Sequence, residues 1–79
     1  WLLTTRAERT IWDAPFAAGD VLVLGPESRG LPQPLLDAHP EACLRIPMGP
    51  GARSLNLATA AGIVLYEALR QTRESWNKV

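Results

Sequence analysis

Two short runs hold most of the residues in this sequence that can do chemistry. The first, Gly25-Pro26-Glu27-Ser28-Arg29-Gly30-Leu31-Pro32, sets a carboxylate, a hydroxyl and a guanidinium among glycines and prolines. The second, Met48 through Asn56, carries Arg53, Ser54 and Asn56 behind Gly49-Pro50-Gly51. Neither is a nucleotide loop of the common kinds. There is no GxGxxG, and Gly49-Pro50-Gly51-Ala52-Arg53-Ser54 lacks the lysine of a phosphate-binding loop. Loops of this composition leave backbone amides and carbonyls bare, able to press against a flat heterocycle and its polar edge. A pair of tight turns with no ligand fits the same residues, because glycine and proline serve turns as readily as sites.

The remaining reactive side chains are isolated. His39 lies between Ala38 and Pro40 with no Cys, second His or carboxylate beside it, and reads as a surface loop histidine rather than a ligand or base. Cys43 falls in an apolar segment and reads as a small buried hydrophobe. As the single cysteine it excludes an internal disulfide framework and a CxxC metal knuckle. Trp12 and Trp76 can stack on bases, but basic residues do not interleave them, so they read as packing or edge residues.

The elements that must position the two loops follow from punctuation and period. Trp1 to Thr5 reads as a short buried strand. Arg6 to Asp20 mixes charge, Trp12, Pro15 and Gly19, and reads as a loop with a turn of helix. Val21-Leu22-Val23-Leu24 is continuously apolar, which suits a parallel strand covered on both faces, and it stops at Gly25-Pro26. Leu35 to Ala38 predicts a short helix closed before Pro40, and Cys43 to Ile46 a third strand stopped by Pro47. A long helix runs from about Leu55 to about Thr72, with Ser54 or Asn56 as its N-cap and Arg70 and Arg73 near the C-terminal end that favours cations. Leu57, Ala61, Val64, Leu65 and Ala68 share the face expected against the sheet, while Ile63 and Tyr66 project with Thr59 from the other side. A helix apolar on two sides needs two neighbours, and Gly62 suggests close backbone approach. Strands that each end at a loop predict an α/β class with an open parallel sheet, whose ligands bind beyond the strand carboxyl ends.

Composition bounds these readings. The 79 residues allow one domain with a marginal core. Eight Lys and Arg against eight Asp and Glu give no basic excess, which leaves only a local patch for nucleic acid. Hydrophobic residues at 47% suit a folded soluble domain. No apolar run nears about twenty residues and no signal pattern opens the chain, so a cytoplasmic protein without membrane contact is expected. The chain starts at Trp1 inside a strand, which predicts the C-terminal part of a longer protein.

Taken together, Gly25-Pro26-Glu27-Ser28-Arg29-Gly30-Leu31-Pro32, then Ile46-Pro47-Met48, then Ser54-Leu55-Asn56-Leu57 with Tyr66-Glu67 downstream, closely resemble motifs two and three of the SPOUT-class (TrmH/SpoU superfamily) RNA 2′-O-methyltransferases. Order and spacing match over nearly the whole chain. The GPE-x-RGLP form and the Arg53-Ser54 pair look most like the TrmL type, which methylates the ribose of the tRNA wobble nucleotide. The resemblance implies an α/β domain with a trefoil knot at its C-terminus, one of the rare exceptions to the rule against threaded chains. It implies S-adenosyl-L-methionine as cofactor, with Leu3, Gly25, Ile46 and Ser54 at cofactor-contacting positions and Met48 and Leu55 beside them. Glu27, Ser54 and Asn56 match polar positions around the reacting atoms, where Glu27 can also brace its loop and Ser54 and Asn56 can also cap the helix. Arg29 and Arg53 are placed to meet tRNA phosphates, and solvated loop arginines fit them equally. A homodimer formed through the last helix, and no metal, complete what is implied. The family's first motif, with its Asn and Arg, matches no segment here. Residues 1–79 are thus expected to be the C-terminal cofactor-binding part of one such domain, with the N-terminal half absent. The alternative is a knotted cofactor-binding and dimerisation module, catalytically incomplete as a fragment.

Overall fold

Leu2 and Leu3 are buried together, and the sheet is assembled on both sides of them. The computed structural model describes residues 1–26, 29–50 and 55–73. In chain order it contains β1 (Leu2–Leu3), α1 (Gln33–Ala38), a 3-10 turn (Pro40–Ala42), β2 (Cys43–Leu44) and α2 (Leu57–Gln71). β1 pairs with β2 in parallel, Leu2 opposite Cys43 and Leu3 opposite Leu44. On its other edge Leu2 bridges Val23, again in parallel, with Val23 N–H donating to Trp1 O at 2.9 Å and Leu3 N–H to Val23 O at 3.0 Å. Backbone groups alternate along a strand, so β2 turns its next residue outward. There Arg45 N–H donates to Arg9 O at 2.9 Å and Ile11 N–H to Arg45 O at 3.0 Å, giving a parallel bridge between Thr10 and Arg45. The lateral order is Val23, β1, β2, Thr10.

The expected α/β class with a parallel sheet holds, with two adjustments. The run 21–24 touches the sheet only at Val23, and Val21 is 69% exposed, so this run is not covered on both faces. Among the described residues no further strand lies outside it. The loop 6–20 is more than a connection. Ile11, Ala14 and Phe16 are buried and join Leu3, Leu44 and Val64 in one core cluster. Trp1 meets Phe16 edge-on, with ring centroids 5.7 Å apart. The Asp20 carboxylate accepts from Trp1 Nε1 at 2.8 Å and from Ala17 N–H at 2.9 Å, which folds the far end of the loop back onto β1. Trp12, at 67% exposure, is an edge residue.

Helix α1 begins two residues before Leu35 because Pro34 fits the first turn, where its missing N–H has no intrahelical partner to lose. His39 ends it, exposed, its N–H donating to Leu36 O at 3.2 Å. Helix α2 is capped by Asn56, whose Oδ1 accepts from Ala58 N–H at 2.9 Å and Thr59 N–H at 3.3 Å. Its packed face is narrower than the five-residue stripe expected. Val64 is fully buried and Ala61 and Ala68 half-buried, but Leu57 and Leu65 are 38% and 49% exposed. The sheet beneath is only a few residues deep, so a helix with about 100° of rotation per residue can seat one side chain over it and turns Leu65 away. Gly62 is approached by nothing within 4 Å of a built Cβ, so among the described residues it does not mark close backbone contact.

A polar chain ties α2 to the loop. Glu67 accepts from Arg70 Nε at 3.0 Å and Nη2 at 2.8 Å, and from Gln71 Nε2 at 2.7 Å. Gln71 Oε1 in turn accepts from Phe16 N–H at 3.1 Å. The hydrogen bond from Arg70, with a further one from Gln71, holds the Glu67 carboxyl below its ordinary range.

Two measurements check this packing. Val64→Ala is expected to lower unfolding free energy in urea by about 2 kcal/mol, and Leu65→Ala by less than about 1 kcal/mol. Because Glu67 binds its proton less readily when folded, its contribution is complete above about pH 4.3 and is lost as pH falls through its folded-state value. The stability gap between the native protein and Glu67→Gln should therefore be widest near neutrality and close on acidification. A gap independent of pH would contradict the network.

Candidate functional site

Parallel tracks that run the same way deliver their carboxyl ends to one edge of the sheet. A cavity of about 310 Å³ opens there, at the small end of the range for ligand sites. Leu3 to Arg6 enter it from β1, Leu24 to Pro26 from the Val23 track, and Ile46 and Met48 from β2. Arg29 to Leu31 and Leu36 line it from the first loop and α1, and Leu55, Leu57 and Ala60 from the start of α2.

The first loop is shaped by its own backbone. Pro26 O accepts from Gly30 N–H at 2.8 Å and from Arg29 N–H at 3.3 Å, closing a tight turn. Gly30 has φ +69°, the left-handed region that favours glycine. Gly25 is constrained differently. A Cβ there would lie 2.3 Å from Gly30 C and 2.5 Å from Leu31 N, so the returning chain occupies the space of a side chain. At the other strand end, Thr4 Oγ1 accepts from Arg6 N–H at 3.2 Å and turns the chain out of β1.

The structure brings together Leu3, Gly25, Ile46, Met48 and Leu55, and places Arg29 on the same lining. Glu27, Arg53 and Ser54, like Trp76, lie outside the described residues. Asn56 is used as the cap of α2 and does not line the cavity. Thr4, Thr5 and Arg6 line it although no motif marked them. The signal was present, since they stand at the carboxyl end of the first strand and the strand-end rule applies to every strand.

Electrostatically the described lining holds Arg6 and Arg29 and no carboxylate. Cys43 stands apart from it. Burial raises the thiol, and its sulfur donates to His39 O at 3.3 Å, so it sits as a protonated packing group. His39 Nδ1 is 3.9 Å from a Glu41 oxygen, both side chains exposed. Among the described residues no group of three or more His, Cys, Asp or Glu is placed to hold a metal, and no helix is long and apolar enough to cross a membrane.

The arrangement is that of an α/β protein with a cleft at the carboxyl edge of a parallel sheet. The chain belongs to the SpoU rRNA Methylase family, which matches it over residues 1–66. It is similar to the tRNA (cytidine(34)-2′-O)-methyltransferase of Escherichia coli (strain K12), 49% identical over 70 residues that cover 87% of this chain and 45% of that protein. The protein of the same description from Acidovorax sp. (strain JS42) is also 49% identical over 70 residues, covering 87% of this chain and 43% of its own length. Among solved structures, one described as "Structural insights into the 2-OH methylation of C/U34 on tRNA" aligns with a TM-score of 0.82 at 48% identity, over 89% of this chain and 45% of that one. An RNA 2′-O ribose methyltransferase aligns with a TM-score of 0.76 at 40% identity, over 87% of this chain and 26% of that one. The chain spans less than half the length of these relatives.

The two loop glycines should respond differently to substitution. Gly30→Ala meets no atom of the described residues and should lose only about 1 kcal/mol of stability from its backbone angle, with the amide chemical shifts of Leu3 and Ile46 unchanged. Gly25→Ala must displace Gly30 and Leu31 and should move those shifts. Equal behaviour of the two variants would refute the close approach.

Proposed function

We propose that this chain is the cofactor-binding part of an enzyme that transfers a methyl group from S-adenosyl-L-methionine to a ribose 2′-hydroxyl of tRNA, at the wobble cytidine or uridine. The observation that carries the reading is the convergence of Leu3, Gly25, Ile46, Met48 and Leu55 from separate parts of the chain on one cavity at the strand ends. The relatives described as tRNA (cytidine(34)-2′-O)-methyltransferases support the choice of substrate.

The residues present fit such a cofactor. Leu3, Leu24, Ile46 and Leu55 offer apolar surface for an adenosine ring system, and Gly25 and Gly30 bring backbone rather than side chains to the lining beside it. When bound, the cofactor supplies an electrophilic methyl group on a sulfonium. The work of this chain is to hold that group in line with a ribose oxygen and to exclude water around it. The leucine and isoleucine side chains serve exclusion, while the hydrogen bonds from Arg29 and Gly30 N–H to Pro26 O tie the described ends of the first loop together. Asn56 fixes the start of α2 and with it Leu55 and Leu57. Glu27 and Ser54 are the polar groups assigned to the reacting atoms, Glu27 chiefly as a brace of its loop, while Asn56, which caps α2 outside the cavity lining, serves that site through the helix start. Arg29 and Arg53 are assigned to tRNA phosphates.

The same reading includes a trefoil-knotted C-terminal segment, residence in the cytoplasm, independence of metal and membrane, and action as a homodimer. Support for the dimer comes from α2, which leaves Ile63, Leu65 and Tyr66 exposed at 40%, 49% and 74%. The half that carries the family's first motif completes the catalytic site in this reading.

Isothermal titration with S-adenosyl-L-methionine is expected to give saturable heat and a matching rise in melting temperature. Gly25→Val should abolish both. A methyl-transfer assay on unmodified tRNA should show turnover when the upstream sequence is joined to this chain, and little with residues 1–79 alone. Absence of heat and of thermal shift would remove the basis of the proposal.

A further inference from the structure

The described lining of the cavity carries two guanidinium groups and no carboxylate, in a chain whose formal charges sum to zero. Arg6 contributes one of them, and its setting is unusual. Its Nη1 donates to Gln33 Oε1, and Gln33 Nε2 donates to Asp37 Oδ1 at 2.8 Å. A neutral amide thus stands between the guanidinium and the nearby acid. Among the described residues no carboxylate pairs with Arg6. The fork is oriented on one side and keeps its full charge and its other N–H donors on the rest. A second polar groove, which carries Arg6 and Arg9 together with the carboxylates of Glu8, Asp37 and Glu41, meets the cavity at Thr4, Arg6 and Leu36. Arg6 stands where the two join.

We infer that Arg6 binds a phosphate of the RNA strand beside the target nucleotide, and that Gln33, held by Asp37, sets its orientation. The inference rests on the methyltransferase reading above. Charge decides the ligand. S-adenosyl-L-methionine is itself a net cation, because its sulfonium and ammonium outweigh one carboxylate, so it offers the two arginines of the described lining only one anionic group. A phosphodiester is matched, since it is anionic and accepts two parallel hydrogen bonds from one guanidinium. Arg29, from the loop after Val23, is the second cation of the described lining. Arg6 is a positioning residue: it sets where the nucleotide lies and takes no part in proton transfer.

The test uses the full-length methyltransferase that contains this chain. Arg6→Ala should raise KM for tRNA about tenfold and lower the slope of log KM against log salt by about one, with kcat largely kept. The dissociation constant for S-adenosyl-L-methionine, measured by titration without RNA, should stay within about twofold. Arg6→Lys should recover part of KM and the whole salt slope, because it keeps the charge and loses the fork. Gln33→Ala should raise KM about threefold with the salt slope unchanged. If Arg6→Ala does not fold, Arg6→Gln carries the same comparison, since its amide can still donate to Gln33. Unchanged KM and salt slope in an active Arg6→Ala enzyme would overturn the inference. So would a tenfold loss of cofactor affinity with KM for tRNA unmoved, which would assign Arg6 to the cofactor carboxylate. If the native enzyme binds no cofactor and transfers no methyl group, the underlying reading fails and the inference falls with it.

Discussion

Leu3 and Leu44 lie opposite each other in a parallel register, 9% and 0% exposed, and the rest of the chain is arranged around that pair. Parallel pairing cannot be closed by a tight turn, so each return to the sheet requires a crossover. Here the chain leaves β1, reaches Val23 on one side, and comes back through α1 to β2 on the other. All strand ends then face the same edge, and the direction of the chain diverges there on either side of β1. Such an edge is where open α/β sheets leave room for a ligand. The cavity is a consequence of register before it is a consequence of any particular side chain.

The sheet is too short to bury its own faces. Two paired residues in each strand leave little apolar area, and a core of this size is marginal. The loop before Val23 supplies what is missing through Ile11, Ala14 and Phe16, while Val64 seats α2 on the result. Polar groups then hold the last part of the loop in place, Asp20 onto Trp1 and Gln71 onto Phe16. Glu67 orients Gln71 and satisfies Arg70. The cavity and the core are built from the same strands, with Leu3 belonging to both.

Division of roles around the cavity follows from residue type. Branched aliphatic side chains at the strand ends give apolar surface, and glycine and proline between them keep the loops thin. Gly25 shows the strictest form of this, since the space of its absent side chain is filled by the Gly30–Leu31 backbone. The charged groups are kept to the outside. Arg6 and Arg29 are both exposed while lining the cavity.

Local signals in the amino-acid sequence determined much of this protein. Gly25-Pro26 followed the Val23 bridge and Pro47 followed β2, Pro34 and Pro40 bounded α1, and Asn56 began α2, because each acts through its own backbone or a neighbour's. The spacing of the two glycine and proline loops also carried the family, which matches residues 1–66. Only the tertiary structure decided which apolar residues are covered. Leu65 and Val64 are equally hydrophobic neighbours, yet a narrow sheet accommodates one and not the other. Ile11 and Phe16 lie in a stretch with no period, and their burial depends on contacts with strands far along the chain. Arg6 likewise gained its place from the meeting of β1 with α1, which no short window of sequence contains. Backbone punctuation is local and can be read in order along the chain, whereas burial is a property of surfaces that meet only after folding.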